Sequence, residues 1–383
     1  MHDVAIVGAG PVGATLALAL KDSDLDVVVL DARACGEPPR GERSIALSHG
    51  ARLILERAGV WCALAGSANA VTPITAVDIS QAGGFGVTRL DAAEQGLSAL
   101  GYVVSYRALQ AVLDAALSRN SVDVRWGSRV ERVGGTPAFA SVALDEGTDV
   151  LTSRLAVVAD GSGAAIDGVA RFRRDYGQMA LIARLTLAVA HGGVAYERFS
   201  AQGPLALLPE GDHYGLVWTL TPQRAQTLVA MPEDAFVAQL RRAFGPHASA
   251  VTHAMDRRTF PLVLEYAPAL SVSRYVAIGN AAQTLHPVAG QGFNLGLRDA
   301  HTLARAIIEA PRDAIGSRPM LARYARARRP DRLAGVAFTH GLIGVFGNDW
   351  PLLRWPRGVA LTLLDAFAPA KRAFTRAMLN GLR

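Results

Sequence analysis

Two cysteines in 383 residues, Cys35 and Cys62, are too few and too isolated for a disulfide framework or a thiolate metal site. The expected setting is therefore reducing and cytoplasmic. Long apolar runs are missing too. Half of the residues are hydrophobic, yet no stretch approaches the roughly 20 uninterrupted apolar residues that cross a bilayer. The opening "MHDVAIVGAG" has no basic leader and its apolar run ends in glycines, so it reads as part of the fold and not as an export signal. Aromatic residues make up 7% of the chain, and the formal charge of +6, largely arginine, is modest. No basic helix stands out before the C-terminus, so nucleic acid is not an expected partner. No repeat or low-complexity tract occurs, and the length suits about two or three domains.

What is present begins at the first residues. "DVAIVGAGPVGATLALAL" is an apolar strand, a glycine turn and then a helix rich in alanine and leucine. Gly8 allows the tight turn, Gly10 lets the backbone approach a pyrophosphate, and Gly13 lets the helix pack closely on the strand. Pro11 and Val12 open that helix, whose free amides and dipole favour phosphate. A second strand, "DVVVLDAR", ends in Asp31, where an acid accepts the hydroxyls of an adenosine ribose. An acid there argues against a 2′-phosphate, leaving FAD or NAD.

The next segments do not continue as a nicotinamide dehydrogenase does. Arg43 precedes one predicted helix, and Arg107 stands in the first turn of another, "SYRALQAVLDAAL". Arg43 suits a diphosphate through its fork of donors, and the charge of Arg107 opposes the helix dipole, so something nearby repays it; each is otherwise a plain surface arginine. "RLAVVADGSGA" runs a strand into Asp160-Gly161, and "YVAIGNAAQTLHPVAGQGFN" runs another into Gly279-Asn280. The spacing of Phe293, Leu297, Ala300, Ala304 and Ile307 then predicts a helix beginning near residue 292, behind glycines at 290 and 292.

This ordered set of motifs resembles the flavoprotein aromatic hydroxylases, the single-component FAD monooxygenases related to 4-hydroxybenzoate hydroxylase. "RSIALS", "GPLALLP" and "GNAAQTLHPVAGQGFNLGLRD" look like the ubiquinone-biosynthesis hydroxylases within that group, those acting on polyprenylated methoxyphenols. The likeness covers nearly the whole chain. It implies an α/β fold: a Rossmann-like, GR2-type, three-layer FAD-binding domain with an inserted antiparallel substrate sheet and a C-terminal helical region. It implies FAD, O2 as co-substrate, and NAD(P)H or another donor as reductant. The implied reaction is ring hydroxylation of a prenylated phenol through a flavin C4a-hydroperoxide. Gly290, Gln291, Gly292, Phe293 and Asn294 would then touch the flavin, Asn280 the ribityl chain, and Arg43, Arg107 and Asp160 other parts of FAD. Pro287 would sit by the ring, and His286 beside it is the first choice of base, or else a structural loop histidine. One departure stands out: "DGSGAAID" puts Ala164 and Asp167 where the wider family has Ser and Arg, which leaves the reductant open. Two rivals also stay open, a non-hydroxylating oxidoreductase of the prenyl reductase type and a FAD-binding subunit without catalysis.

The FAD domain is expected in three segments, 1–75, 98–166 and 269–330. Substrate-domain strands fill 76–97 and 167–268, and helices fill 331–383. Phe199, Leu205, Leu207 and Trp218 are candidates for an apolar substrate pocket. The tail joins an apolar helix near 356–367 to Arg354, Arg357, Lys371, Arg372 and Arg376. Such a helix either lies peripherally on the inner membrane or docks on the core with a solvated basic rim. Partners in a ubiquinone-biosynthesis complex are a further expectation of the resemblance.

Overall fold

The computed structural model describes residues 1–38, 43–144, 149–161, 165–166, 172–267, 271–272, 274–284, 290–346 and 350–381. The buried strand His2–Val7 is the centre of the first sheet. Val27–Asp31 lies parallel on one side of it and Asp149–Val158 on the other. Asp123–Trp126 and Tyr275–Ala277 extend this parallel core outward. Strands buried on both faces read as continuous Val, Leu and Ile, as "VAIV" and "VVVL" do here. The N-terminal part of Asp149–Val158 also pairs antiparallel with Ala140–Leu144, which pairs with Val130–Gly135. Helices Pro11–Leu20, Tyr106–Arg119 and Gln291–Ile308 pack together with the parallel strands in one large core.

A second, mainly antiparallel sheet runs in the order Gln283–Thr284, Val251–Tyr266, Phe172–Leu187, His213–Leu220, Gly203–Glu210, Val194–Ser200, Ala76–Gln81, Val87–Asp91. The two strands from the 76–97 stretch thus close one edge of a sheet otherwise built from residues beyond 171. Side chains alternate between its faces. One face is covered by helices Pro222–Ala230 and Glu233–Phe244. There Leu205, Leu207 and Trp218 pack with Phe236, Leu240 and Phe244 as core. These three were candidates for a substrate pocket, and the placement corrects that expectation: their parity turns them to the helix-covered side. Phe199 has the opposite parity, since its neighbour Arg198 reaches the helix side and donates to the Ala243 carbonyl.

A three-stranded sheet joins the two halves, with Gly101–Ser105 between Ser44–Ser48 and Val71–Ile74. Its Ile74 and Val103 pack on Ala195, and Leu208 joins them, so the second sheet's other face looks toward the first half.

The chain ends in helices Arg318–Phe346, Pro351–Ala366 and Ala368–Asn380. The middle one begins earlier than expected, because Pro351 opens it where no amide hydrogen is needed. Arg357 and Lys371 are buried, unlike a solvated rim: Lys371 pairs with Glu94 and Asp365 at 3.1 Å each. Arg372 and Arg376 are exposed. None of the described helices is long and apolar enough to cross a membrane.

Candidate flavin-binding and active site

A cavity of about 660 Å³ opens at the C-terminal ends of the parallel strands, where α/β sheets hold their ligands. Gly8, Gly10, Pro11, Val12, Asp31, Arg43, Asp160, Gly279, Asn280, Gly292 and Phe293 all line it. Residues far apart in sequence, such as Gly8 and Phe293, therefore meet in one cleft.

The three N-terminal glycines have separate physical tasks. Gly8 has φ +101°, and a β-carbon there would lie 2.7 Å from Asp160 Cα. At Gly13 a β-carbon would sit 2.0 Å from the Gly8 carbonyl oxygen, so the helix touches the turn directly. A β-carbon at Gly10 would meet nothing within 4 Å. That open space lies before the N-terminus of a helix, a cradle of the kind that suits a diphosphate.

Behind this turn lies a side-chain lattice that the sequence did not reveal. Asp31 Oδ2 accepts from the Ala9 amide at 2.6 Å, and its Oδ1 accepts from the backbone and Nε of Arg33 at 2.8 and 3.1 Å. Arg33 also donates to Asp114 at 3.2 Å and lies 5.2 Å over the Trp126 ring. Burial works against its charge, but Asp114 and Asp31 hold the guanidinium's pKa above its ordinary value. Gln110 donates to the Ala9 carbonyl at 2.8 Å and to Asp114 at 2.7 Å. Both polar groups of Ala9 are thereby fixed, and Arg33 is committed to two carboxylates. Arg43 stacks 4.1 Å from the Tyr106 centroid. Its partner in expectation, Arg107, is exposed and stands off the lining, whereas Tyr106 and Gln110 are on it.

The glycine loop of the C-terminal motif packs as closely. Gly290, at φ +60°, caps the helix that starts at Gln291, one residue before the expected start, and its β-carbon would lie 3.1 Å from Ala46 Cβ. Asn294 does not face the cleft. It is buried, accepts from the Ser48 amide at 2.9 Å, and donates to the Ala46 and Gly290 carbonyls at 3.1 and 2.9 Å. It clamps strand Ser44–Ser48 to the helix. Asp299, wholly buried, accepts from the Gly279 amide at 3.2 Å and from Arg328 at 2.7 Å. Gly296 brings the same helix within 2.9 Å of Val12 for a notional β-carbon. A glycine inside a helix costs about 1 kcal/mol against alanine, and that was the available signal for this contact. His286, Pro287, Ala164 and Asp167 lie outside the described residues, as does the side chain of Gln291.

A family model described as "FAD binding domain" matches residues 1–339. Ubiquinone hydroxylase UbiL of Rhodospirillum rubrum is 32% identical over 395 aligned positions, covering all of this chain and 90% of that protein. The chain belongs to this FAD-binding family. The 3-demethoxyubiquinol 3-hydroxylase of Escherichia coli K12 is 28% identical, covering 97% of this chain and 96% of its own. Among solved structures, p-nitrophenol 4-monooxygenase PnpA from Pseudomonas putida superposes with a TM-score of 0.78 at 18% identity, covering 100% of this chain and 99% of its own. PqsL of Pseudomonas aeruginosa, in complex with 2-aminobenzoylacetate, gives 0.78 at 24% identity over 94% of this chain and 99% of its own. These likenesses carry the fold. The family and the cradle at Gly10 agree on the cofactor: the chain is a flavin monooxygenase that uses FAD with O2 and a reduced electron donor.

Proposed function

We propose that this chain hydroxylates the aromatic ring of a prenylated phenol in ubiquinone biosynthesis. The observation that carries the reading is spatial: the dinucleotide cradle and the face of the second sheet turned towards it are joined through strand Ser44–Ser48. Bound FAD supplies the activation of O2. The chain's own tasks are to hold the cofactor, exclude water and orient the ring. Gly8, Gly10, Gly13 and Asp31 hold the diphosphate and ribose end, with Pro11 and Val12 at the helix start. Asp160, Gly279 and Asn280 flank the middle. Gly290, Gly292 and Phe293 bring a helix N-terminus to the flavin ring, where its dipole favours the anionic reduced state. Segments 1–75, 98–166 and 269–330 form the flavin-binding half around this cradle.

The prenyl tail calls for an apolar approach. On helix Pro351–Ala366, Trp355 and Leu363 are 71% and 61% exposed, with Val359 between them at four-residue spacing and Phe367 beyond. Trp350 is 67% exposed next to them, and Phe85 meets the Trp355 ring at 5.1 Å. Such a stripe, with Arg372 and Arg376 nearby, suits the interfacial layer of an anionic membrane. Among the described residues no feature favours the rival non-hydroxylating reading. Oxygen and reductant consumption decide between them. A short-chain 2-prenylphenol should accelerate NADH or NADPH oxidation and yield one hydroxylated product per turnover. Reductant consumption that never oxygenates the phenol would transfer the reading to the oxidoreductase.

A further inference from the structure

The face of the second sheet turned away from helices Pro222–Ala230 and Glu233–Phe244 carries an acid that none of the described side chains engages. Glu197 lies in strand Val194–Ser200, between outward-facing neighbours. Tyr196 stacks 4.6 Å from His247, and Arg198 donates to the Ala243 carbonyl, both on the helix-covered side. Glu197 therefore points the other way, with Ala195 and Phe199 on its own strand. Across the sheet its register partners are Ala206 and Ile79, followed by Val217 and Ile182. All six are apolar. Ala195, two residues away, packs on Ile74 and Val103 of the joining sheet, which leads through Ser48 and Asn294 to the flavin helix. Glu197 itself is half-buried.

An acid without a cation among apolar side chains is costly to keep unless it has a task. Desolvation is the sole cause acting on Glu197, and it pushes the pKa up to about 7. The charged groups turned to the same face are Arg184 and Arg258 on the long strands and Glu210, which Ser44 engages. From the C-terminal helices come Arg357 and Lys371, the latter paired with Glu94 and Asp365. None of these contributes to the shift.

We propose that Glu197 is a catalytic residue that accepts the hydrogen bond, and then the proton, of the substrate's phenolic hydroxyl. This rests on the prenylphenol reading above. The phenol O–H bond breaks and a carboxyl O–H bond forms, so the negative charge passes from Glu197 to the phenolate oxygen. The ring is thereby made electron-rich for hydroxylation. When the product ring becomes aromatic again, the substituted carbon's proton leaves to water and the carboxyl proton returns to the same oxygen. A base that titrates near the working pH is the efficient choice for such a transfer.

The test uses FAD-loaded wild type and Glu197→Gln, with a short-chain 2-prenylphenol and its O-methyl ether, titrated calorimetrically from pH 6 to 8.5. In wild type, affinity for the phenol should rise as pH passes through about 7, while affinity for the ether stays level. Glu197→Gln should bind the phenol about tenfold more weakly at pH 8, the effect of one charge-assisted hydrogen bond. Its profile should be flat and its affinity for the ether unchanged. An equal loss for phenol and ether assigns the residue a structural role and overturns the proposal. So does a variant that keeps the wild-type pH dependence while wild type still hydroxylates the phenol. If wild type neither binds nor hydroxylates any prenylphenol, the prenylphenol reading falls and takes this proposal with it.

Discussion

Two alanine substitutions three residues apart, at Gly10 and Gly13, should fail in opposite ways. At Gly13 the new β-carbon would lie 2.0 Å from the Gly8 carbonyl oxygen, far inside contact distance, and the obstacle is backbone. The helix has to lift off the turn, and overpacking of this kind costs about 1–3 kcal/mol. For a chain of this length that is a fall in apoprotein melting temperature of about 1–4 °C. At Gly10 the β-carbon meets nothing within 4 Å, and the residue's φ of −62° and ψ of 172° suit alanine. The loss of a glycine at the cap costs up to about 1 kcal/mol, partly offset by a less free unfolded chain. Apoprotein stability should therefore barely change. The methyl group does fill the space assigned to the diphosphate, so FAD affinity should fall by at least tenfold. Differential scanning fluorimetry of the apoproteins and fluorescence titration with FAD separate the two effects. A Gly10→Ala protein with wild-type FAD affinity would refute the assignment of that space.

Three further outcomes are expected. Asn294→Ala removes hydrogen bonds to Ser48, Ala46 and Gly290 and leaves buried groups unpaired. It should cost about 2–4 kcal/mol, read as a lower melting temperature with faster FAD release, whereas Asn294→Asp should recover only the bond from Ser48. Asp3 is buried, and although desolvation opposes it, hydrogen bonds from Arg312, Arg154 and the Asp26 amide hold its carboxyl below the usual range. A depressed pKa stabilises the fold above the unfolded carboxylate value of about 4 and loses that contribution as pH falls through the folded value. Asp3→Asn should accordingly lower stability by about 1–2 kcal/mol at pH 7, with the gap to wild type closing towards pH 3 in urea titrations. Trp355→Ser with Leu363→Ser should reduce cosedimentation with vesicles rich in phosphatidylglycerol and leave FAD content intact, and undiminished binding would reject the stripe as a membrane contact.

The strand–glycine turn–helix unit at the start of the chain was legible because its determinants are local. Gly8, Gly10 and Gly13 act within one strand–turn–helix, and Asp31 closes the same βαβ unit. The lattice behind them was not, because Arg33, Gln110 and Asp114 acquire their roles only when Tyr106–Arg119 is laid against the first turn. Asn294 shows the same limit. Its motif was readable, but its true partners lie on a strand some 246 residues earlier. In the second sheet, alternation revealed strands but not which face would be covered. Helices Pro222–Ala230 and Glu233–Phe244 decide that, and they turned Leu205, Leu207 and Trp218 into core while leaving Phe199 and Glu197 on the other side. The buried Lys371 went unseen for a similar reason, since Glu94 and Asp365 come to it from two other elements.

Hydroxylation at this site requires that oxygen from O2 enter the ring of a prenylated phenol. FAD-loaded protein reduced anaerobically with dithionite, then mixed with ¹⁸O2 and a short-chain 2-prenylphenol, tests it most directly by mass spectrometry of the phenol. One ¹⁸O atom is expected in a catechol or hydroquinone product. Complete flavin reoxidation with hydrogen peroxide formed and the phenol recovered unlabelled would contradict it.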